Sequence, residues 1–386
     1  MTVRRSIFWL HLSAGLTAGI IVAIMSTTGI ALAFEQEILG WLDRDVKTVA
    51  VPARVMPHTL NQLDAIVKQE RPDFEANTIV IPRDPTQAYE YRAGRASSLY
   101  VNPYTGELRE PKSTAAHDVL HVLEDWHRRL GREGESQATG KLITGIANCA
   151  FLFLCLTGLY MWWPRSWKLR ALRPAVWFVG GIRGRARDFN WHHVFGSWSV
   201  LVLLVIVTSG VVMSFGWANR LVFTLAGEKA PARGPGALAG PQVTVPPPAL
   251  DQQRLSRDAV LALVSKAFPN WEAISFDRGG PSAKDANAIQ PLNVIVFEPA
   301  VFQSRGRTQL SIDPYRGDVL SKLGFQDRTP GARARVWLRF LHTGEALGLF
   351  GKVIATIATA GSLFLVYTGF SLSYRRFFLR RTDAAN

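Results

Sequence analysis

The residues best suited to chemistry in this chain are histidines that recur at matched spacings. After His11, glycines stand four and eighteen residues on, at Gly15 and Gly29, and Thr27 and Thr28 precede the second. After His192 the same steps lead to Gly196 and Gly210, preceded by Thr208 and Ser209. A second pair recurs in a different setting. His127 precedes Gly140-Lys141, and His342 precedes Gly351-Lys352. An apolar run follows each, with Thr157-Gly158 or Thr368-Gly369 near its end, the glycines eighteen residues apart in both. Imidazole is the side chain most used to hold metals. Matched pairs in a repeated unit read as ligands for two metal centres, one near each face of a membrane bundle.

The elements that must position them are four apolar stretches, about 7–34, 140–163, 192–216 and 349–372. Each is long enough to cross a hydrocarbon core of about 30 Å as a helix. Trp9, Trp162, Trp163, Trp191, Trp217 and Tyr374 edge them, as aromatic side chains do at membrane interfaces. Basic residues set the orientation. Arg4 and Arg5, the 164–191 link (Arg165, Lys168, Arg170, Arg173, Arg183, Arg185 and Arg187 against Asp188) and the 373–386 tail (Arg375, Arg376, Arg380, Arg381) belong inside, so both termini are cytoplasmic. The longer segments, 35–139 and 217–348, are then outside. The net charge of +14 is partly topology, and no basic-aromatic module points to nucleic acid as a partner. Membrane lipid is the expected surround. The first apolar run is too long for a signal-peptide core and carries His11, so it is expected to stay. Cys149 and Cys155 both fall in the second stretch, which leaves the outer segments without disulfides. The absence of a C-x-x-C-H sequence excludes covalent c-type haem attachment.

Both outer segments read as small α+β units. In the first, helical spacing over 58–70 precedes strands near 77–82, 87–92 and 97–102 and the turn Asn102-Pro103-Tyr104-Thr105-Gly106. In the second, a helix over 251–268 precedes strands near 271–276, 292–297 and 307–312 and the turn Asp313-Pro314-Tyr315-Arg316-Gly317. The stretch 230–249, rich in Pro, Gly and Ala, reads as a linker. Helical runs at 114–130 and 331–342 carry His127 and His342 towards the membrane.

Taken in order, FWLHLSAGLTAGIIVAIMSTTGIALAF, NWHHVFGSWSVLVLLVIVTSG, LHTGEALGLFGK and the paired Asn/Asp-Pro-Tyr-x-Gly turns resemble the PepSY-associated transmembrane family, the iron-regulated membrane proteins. The likeness covers nearly the whole chain. It implies a four-helix transmembrane bundle built from a duplicated two-span unit, with two small α+β PepSY-like periplasmic domains. It also implies a bacterial inner-membrane protein that binds b-type haem and reduces ferric siderophores. Some relatives carry a fused flavin-reductase domain. Here only 28 residues link the middle spans, so the donor is expected to be separate, either a cytoplasmic-side protein or a quinol.

The residues support the same chemistry. A low-spin haem needs an imidazole on each face of the ring, and helical bundles supply such pairs from facing helices. His11 with His192 near the inner face, and His127 with His342 near the outer face, give two non-covalent b haems at two depths. His193 competes with His192, but on a helix it points about 100° away. His117 and His121, spaced i and i+4, could hold Zn or Cu, or simply form a polar stripe. His58 reads as a helix-start residue. Arg5 and Arg187 near the inner pair, and Arg128, Arg129 and Arg339 near the outer, are candidates for haem carboxylates. Four more residues separate His127 from its Gly-Lys step than separate His342 from its own, which disturbs the expected match in depth. Two other functions are carried forward: a haem-free carrier of siderophore or iron, and a membrane-anchored PepSY module that binds a partner protein.

Overall fold

The computed structural model describes residues 2–94, 97–164, 168–231, 243, 245–249, 252–277, 289–300 and 306–379. Most of the 230–249 stretch, and Arg165, Arg380 and Arg381, lie outside these residues. In chain order the helices are α1 (Val3–Leu32), α2 (Glu35–Leu42), α3 (Arg44–Lys47), α4 (Leu60–Glu70), α5 (Thr114–Arg129), α6 (Gln137–Trp162), α7 (Leu169–Val176), α8 (Gly184–Ser214), α9 (Gly216–Leu225), α10 (Arg257–Ala267), α11 (Pro330–Thr343) and α12 (Gly348–Phe377). The strands are β1 (Thr78–Pro82), β2 (Tyr89–Ala93), β3 (Ser97–Val101), β4 (Leu108–Arg109), β5 (Ala273–Asp277), β6 (Leu292–Phe297), β7 (Arg307–Ile312) and β8 (Val319–Leu323). The chain divides into a helical unit (1–35, 119–235 and 334–386) and a sheet unit (36–118 and 236–333).

Among the described residues, four helices of the helical unit are long and apolar enough to cross a membrane: α1, α6 with the turn before it, α8, and α12 with the turn before it. α1 packs on α6 and α12, and α8 packs on the same two, so α1 and α8 stand at opposite corners of a four-helix bundle. Small side chains fill the contacts, as when Ala18 and Val22 of α1 meet Ala147 of α6. This is how helices associate where lipid is as apolar as the core. α8 begins at Gly184, well before the apolar stretch at 192, because polar residues 184–191 continue the helix. Hydropathy marks where a helix enters lipid and cannot mark where it ends in water. Within that extension Asp188 is fully buried and accepts from Arg187 (2.8 Å) and from Ser371 of α12 (2.6 Å), tying α8 to α12.

In the sheet unit, the strands of both outer segments join one antiparallel sheet in the order β4-β3-β2-β1-β5-β6-β7-β8. β1 and β5 form the seam, from Thr78 opposite Asp277 to Pro82 opposite Ala273. Alternation in the sequence predicts three strands of each half, without β4 and β8 and without this pairing. The pairing removes two edges that would otherwise expose unpaired main-chain groups. Alternate residues point to one core: Ile79 and Ile81, Ile274 and Phe276, Val294 and Val296, Leu310 and Ile312 lie under Leu60, Leu63 and Val67 of α4 and Val260 and Val264 of α10. Both Pro-Tyr turns close alike. Asn102 Oδ1 accepts from Tyr104 N (2.9 Å) and Asp313 Oδ1 from Tyr315 N (2.8 Å). Gly106 and Gly317 take φ of +75° and +78°, a conformation that favours glycine.

Candidate functional site: two histidine pairs

Each of the four histidines is backed by a hydroxyl-glycine step on another helix. His11 on α1 stands against Thr157-Gly158 of α6: its Nδ1 is 2.8 Å from Thr157 Oγ1. His192 on α8 stands against Thr368-Gly369 of α12, with Nδ1 2.8 Å from Thr368 Oγ1. His127 on α5 reaches α1, with Nδ1 2.9 Å from the Met25 carbonyl and 3.1 Å from Thr28 Oγ1. His342 on α11 reaches α8, with Nδ1 2.8 Å from the Ile206 carbonyl and 3.3 Å from Ser209 Oγ. The glycine makes room in each case. A Cβ at Gly29 or Gly210 would sit 3.1 or 3.2 Å from the imidazole Cε1 of His127 or His342. At Gly158 and Gly369 it would sit 3.5 and 3.9 Å from Cε1 of His11 and His192. The eighteen-residue spacing in the sequence is therefore the distance along one helix between the histidine it carries and the seat it offers to another.

These contacts set the tautomer. A carbonyl only accepts, so Nδ1 of His127 and of His342 carries the proton. Thr157 and Thr368 spend their own protons on the carbonyls of Phe153 (2.6 Å) and Phe364 (2.7 Å), so they too accept from Nδ1–H. All four rings are left with a bare lone pair on Nε2, the arrangement of a metal-ligating histidine whose other nitrogen is held by an outer partner. Burial lowers His127 to about 4, helped by the neighbouring His342, and burial also lowers His342. Both are neutral at pH 7, the form that binds metal.

The first pair, His11 and His192, lines a cavity of about 690 Å³ inside the bundle. It runs between α1, α6, α8 and α12, from Thr2 and Arg376 at one end to Val22, Leu203 and Ser362 at the other, with the two histidines between. Gly15 and Gly196 face it: a Cβ there would meet only Leu154 at 3.8 Å or Leu365 at 3.7 Å. Arg4, Arg5, Arg185 and Arg376 line the cavity too. A flat, apolar group with two carboxylates at one edge suits such a slot. The second pair, His127 and His342, has ring centres 6.3 Å apart and planes inclined at 65°. Two imidazoles on opposite sides of one metal, each nitrogen about 2 Å from it, have ring centres about 6 Å apart. The inner slot thus has the room and the basic side chains that haem requires, and the outer pair has the ring separation of two imidazoles on one iron. Along α1, from His11 to the His127 seat at Met25–Gly29, the pairs are about 21–27 Å apart at about 1.5 Å per residue. The same interval separates His192 from Ile206–Gly210 on α8. The extra residues after His127 do not disturb this match. They are taken up in the turn at Leu130 and Gly131, where φ is +55° and +66°.

His193 also lines the cavity, its ring 4.3 Å from that of Phe189. His117 and His121 stand beside carboxylates, 3.9 Å from Asp118 and 3.8 Å from Asp125. Among the described residues no three His, Cys, Asp or Glu gather as a metal cluster. His58 donates its main-chain N–H to Pro103 O, and Thr59 caps α4. Of the arginines singled out from sequence, Arg5 lines the cavity. Arg187 is paired with Asp188, Arg128 with Glu124 and Arg129 with Asp125. The Arg339 guanidinium lies 5.8 Å from the Phe340 ring. Sequence reasoning missed Arg4, Arg185 and Arg376, and it missed Thr157, Thr28, Thr368 and Ser209 as partners of the rings. The recurring Thr/Ser-Gly step was the available signal for the hydroxyls. The carbonyls of Met25 and Ile206 leave no mark in a sequence.

The Gly-Lys steps have a structural role. A Cβ at Gly140 would collide with the Arg129 carbonyl, and one at Gly351 with the Gly344 carbonyl. Close crossing at these glycines holds the ends of α5 and α11 against the spans and so places His127 and His342.

Fold and site define a membrane four-helix bundle with two internal histidine pairs. The PepSY-associated TM region matches residues 8–376, and the chain belongs to that family. No curated protein matches it.

Proposed function

We propose that this protein is a di-haem b reductase of the bacterial inner membrane, built from a two-span unit present twice with paired PepSY-like domains in the periplasm. It passes electrons from the cytoplasmic side to a ferric siderophore and releases Fe(II). The observation that carries this reading is the set of four imidazoles. Each is fixed through Nδ1 to a neighbouring helix, each keeps Nε2 free, and they sit at two depths most of a bilayer apart. His11 with His192, and His127 with His342, would each hold a haem, which would supply a one-electron carrier.

The chain's own residues do the rest. His11 and His192 form the inner pair, beside the basic N-terminus and link, and His127 and His342 the outer pair. The apolar walls of the bundle exclude water and ions, so charge crosses as electrons alone. Arg4, Arg5 and Arg376 line the slot and would neutralise the carboxylates of a haem bound there. No acid or base is required, because one electron turns a tightly held hard Fe(III) into a less charged, softer Fe(II) that oxygen chelators hold less well. The paired PepSY-like domains receive the chelate, and a separate donor protein or a quinol supplies the electrons.

The purified protein is expected to carry two haems per chain, all extractable with acid-acetone. A ratio near one, or haem that stays on the chain, sinks the proposal. A Cβ at Gly15 or at Gly196 would make only ordinary contact with Leu154 or Leu365, so leucine there is expected to leave the fold intact and to deny the inner haem room. Each variant is expected to fall to about one haem per chain with unchanged helical circular dichroism. Full haem loading of both variants would show that the slot is not the binding site.

A further inference from the structure

The helix that carries His342 also carries two arginines on the same side. Arg335 stands seven residues before His342 and Arg339 three, so α11 presents them about two turns and one turn from the imidazole. Arg335 is half-buried. Its Nε–H donates to Asn219 Oδ1 of α9 (2.8 Å), and among the described residues its other N–H groups meet no acceptor. Arg339 is exposed, with its guanidinium 5.8 Å from the Phe340 ring. Among the described residues neither arginine meets a carboxylate. Burial lowers the Arg335 guanidinium below its usual value, and the charge of Arg339 lowers it further. A cation partly withdrawn from water beside a second cation is costly unless an anion joins them.

The repeat breaks at these positions. With His127 set against His342, α5 has Leu120 where α11 has Arg335, and Glu124 where α11 has Arg339. Leu120 is buried, Glu124 takes Arg128, and Asp125 takes Arg129. The arginines beside His127 are therefore already paired on their own helix, and the unpaired ones all stand on the His342 side.

We propose that Arg335 and Arg339 form the carboxylate seat of the outer haem and so fix the one way round in which that ring binds. The inference rests on the di-haem reading and adds to it the residues that orient one of the two groups. A haem carries both carboxylates on one edge, and two matched histidines cannot tell that edge from the opposite one. Cations on α11 alone can. A guanidinium takes a carboxylate through two parallel hydrogen bonds, and Arg335, held by Asn219 through Nε, keeps both Nη groups for it.

The test loads the haem-free His192→Ala protein, in which only the outer pair is complete, with haem b and separately with haem b dimethyl ester. The ester has the same ring and iron but no carboxylate charge. Haem b is expected to bind about tenfold or more tightly than the ester, the worth of a hydrogen-bonded charged pair. Arg335→Met is expected to weaken haem b by about that factor and to leave the ester as it was, so that the preference disappears. Arg339→Met is expected to lose less, since Arg339 is exposed. Arg335→Lys keeps the charge without the fork and is expected to retain part of the preference. It carries the test alone should Arg335→Met fail to fold, as judged by helical circular dichroism. The inference is overturned if the His192→Ala protein holds both compounds equally. It is also overturned if the Arg335 variants keep the full preference, as they would were Arg335 to serve a lipid phosphate or an anionic chelate. Uptake of neither compound sinks the di-haem reading and this inference with it, whereas equal uptake of both sinks this inference alone.

Discussion

Alanine at His11 or at His192 is expected to remove one and the same haem, and alanine at His127 or at His342 the other. Each single variant should lose roughly half of the haem absorbance, because a haem that two imidazoles would hold is held less well by one. The two double variants within a pair should look like their singles, and a double variant across pairs should be colourless. His193→Ala should keep both haems. Its ring lies tilted against that of Phe189, and it has no equivalent of the Thr368 contact that fixes His192. The measurement is the reduced-minus-oxidised spectrum together with haem per chain. If His193→Ala empties the inner site while His192→Ala does not, the assignment from spacing and the seat on α12 is wrong for that pair.

The second large effect concerns sidedness. Without the outer haem, through His127→Ala or His342→Ala, oxidation of the reduced protein by a ferric siderophore should stop, while the inner haem still accepts electrons from the cytoplasmic side. Without the inner haem, through His11→Ala, the outer haem should take electrons from dithionite added outside and pass them to the chelate at close to the wild-type rate. Stopped-flow re-oxidation of each reduced variant in oriented proteoliposomes reads this directly. Re-oxidation of the variant lacking the outer haem as fast as wild type would refute either the orientation or the reductase assignment. The expectation of complete loss follows from distance. The pairs are about 21–27 Å apart along the helices, in a hydrocarbon core of about 30 Å, so the inner centre has no direct approach to a periplasmic chelate.

Much of the architecture was legible in the sequence because its causes are local. Apolar runs of span length, alternating strands and the Pro-Tyr-x-Gly turns depend on residues close to one another in the chain. The bounds of the expected strands follow to within about two residues, while the helix expected over 251–268 begins only at Arg257 and the short strands β4 and β8 carry no signal of their own. The recurrence of His, Gly and Thr/Ser steps marked the positions that matter. It did so because a helix that carries one histidine near one end and a seat for another near the other end needs a fixed separation between them.

The sequence could not show which helix supplies each seat. His11 rests on Thr157, far along the chain, and His127 rests back on α1 at Met25 and Thr28. Those pairings arise from the order in which α1, α6, α8 and α12 pack around one another. That order is decided by small residues meeting between helices, and a single helix pattern does not specify its partner. The seam between β1 and β5 is of the same kind: both strands read as strands, yet only packing brings Thr78 opposite Asp277. The acceptors of His127 and His342 are main-chain carbonyls, which every residue possesses, so no residue type could announce them. By itself the sequence determined the spans, the half-sheets, the four histidines and their repeat, because these rest on hydropathy, periodicity and spacing. Only the tertiary structure decided the slot between His11 and His192, the tautomer of every ring and the 6.3 Å approach of His127 to His342, because each depends on where a second helix lies.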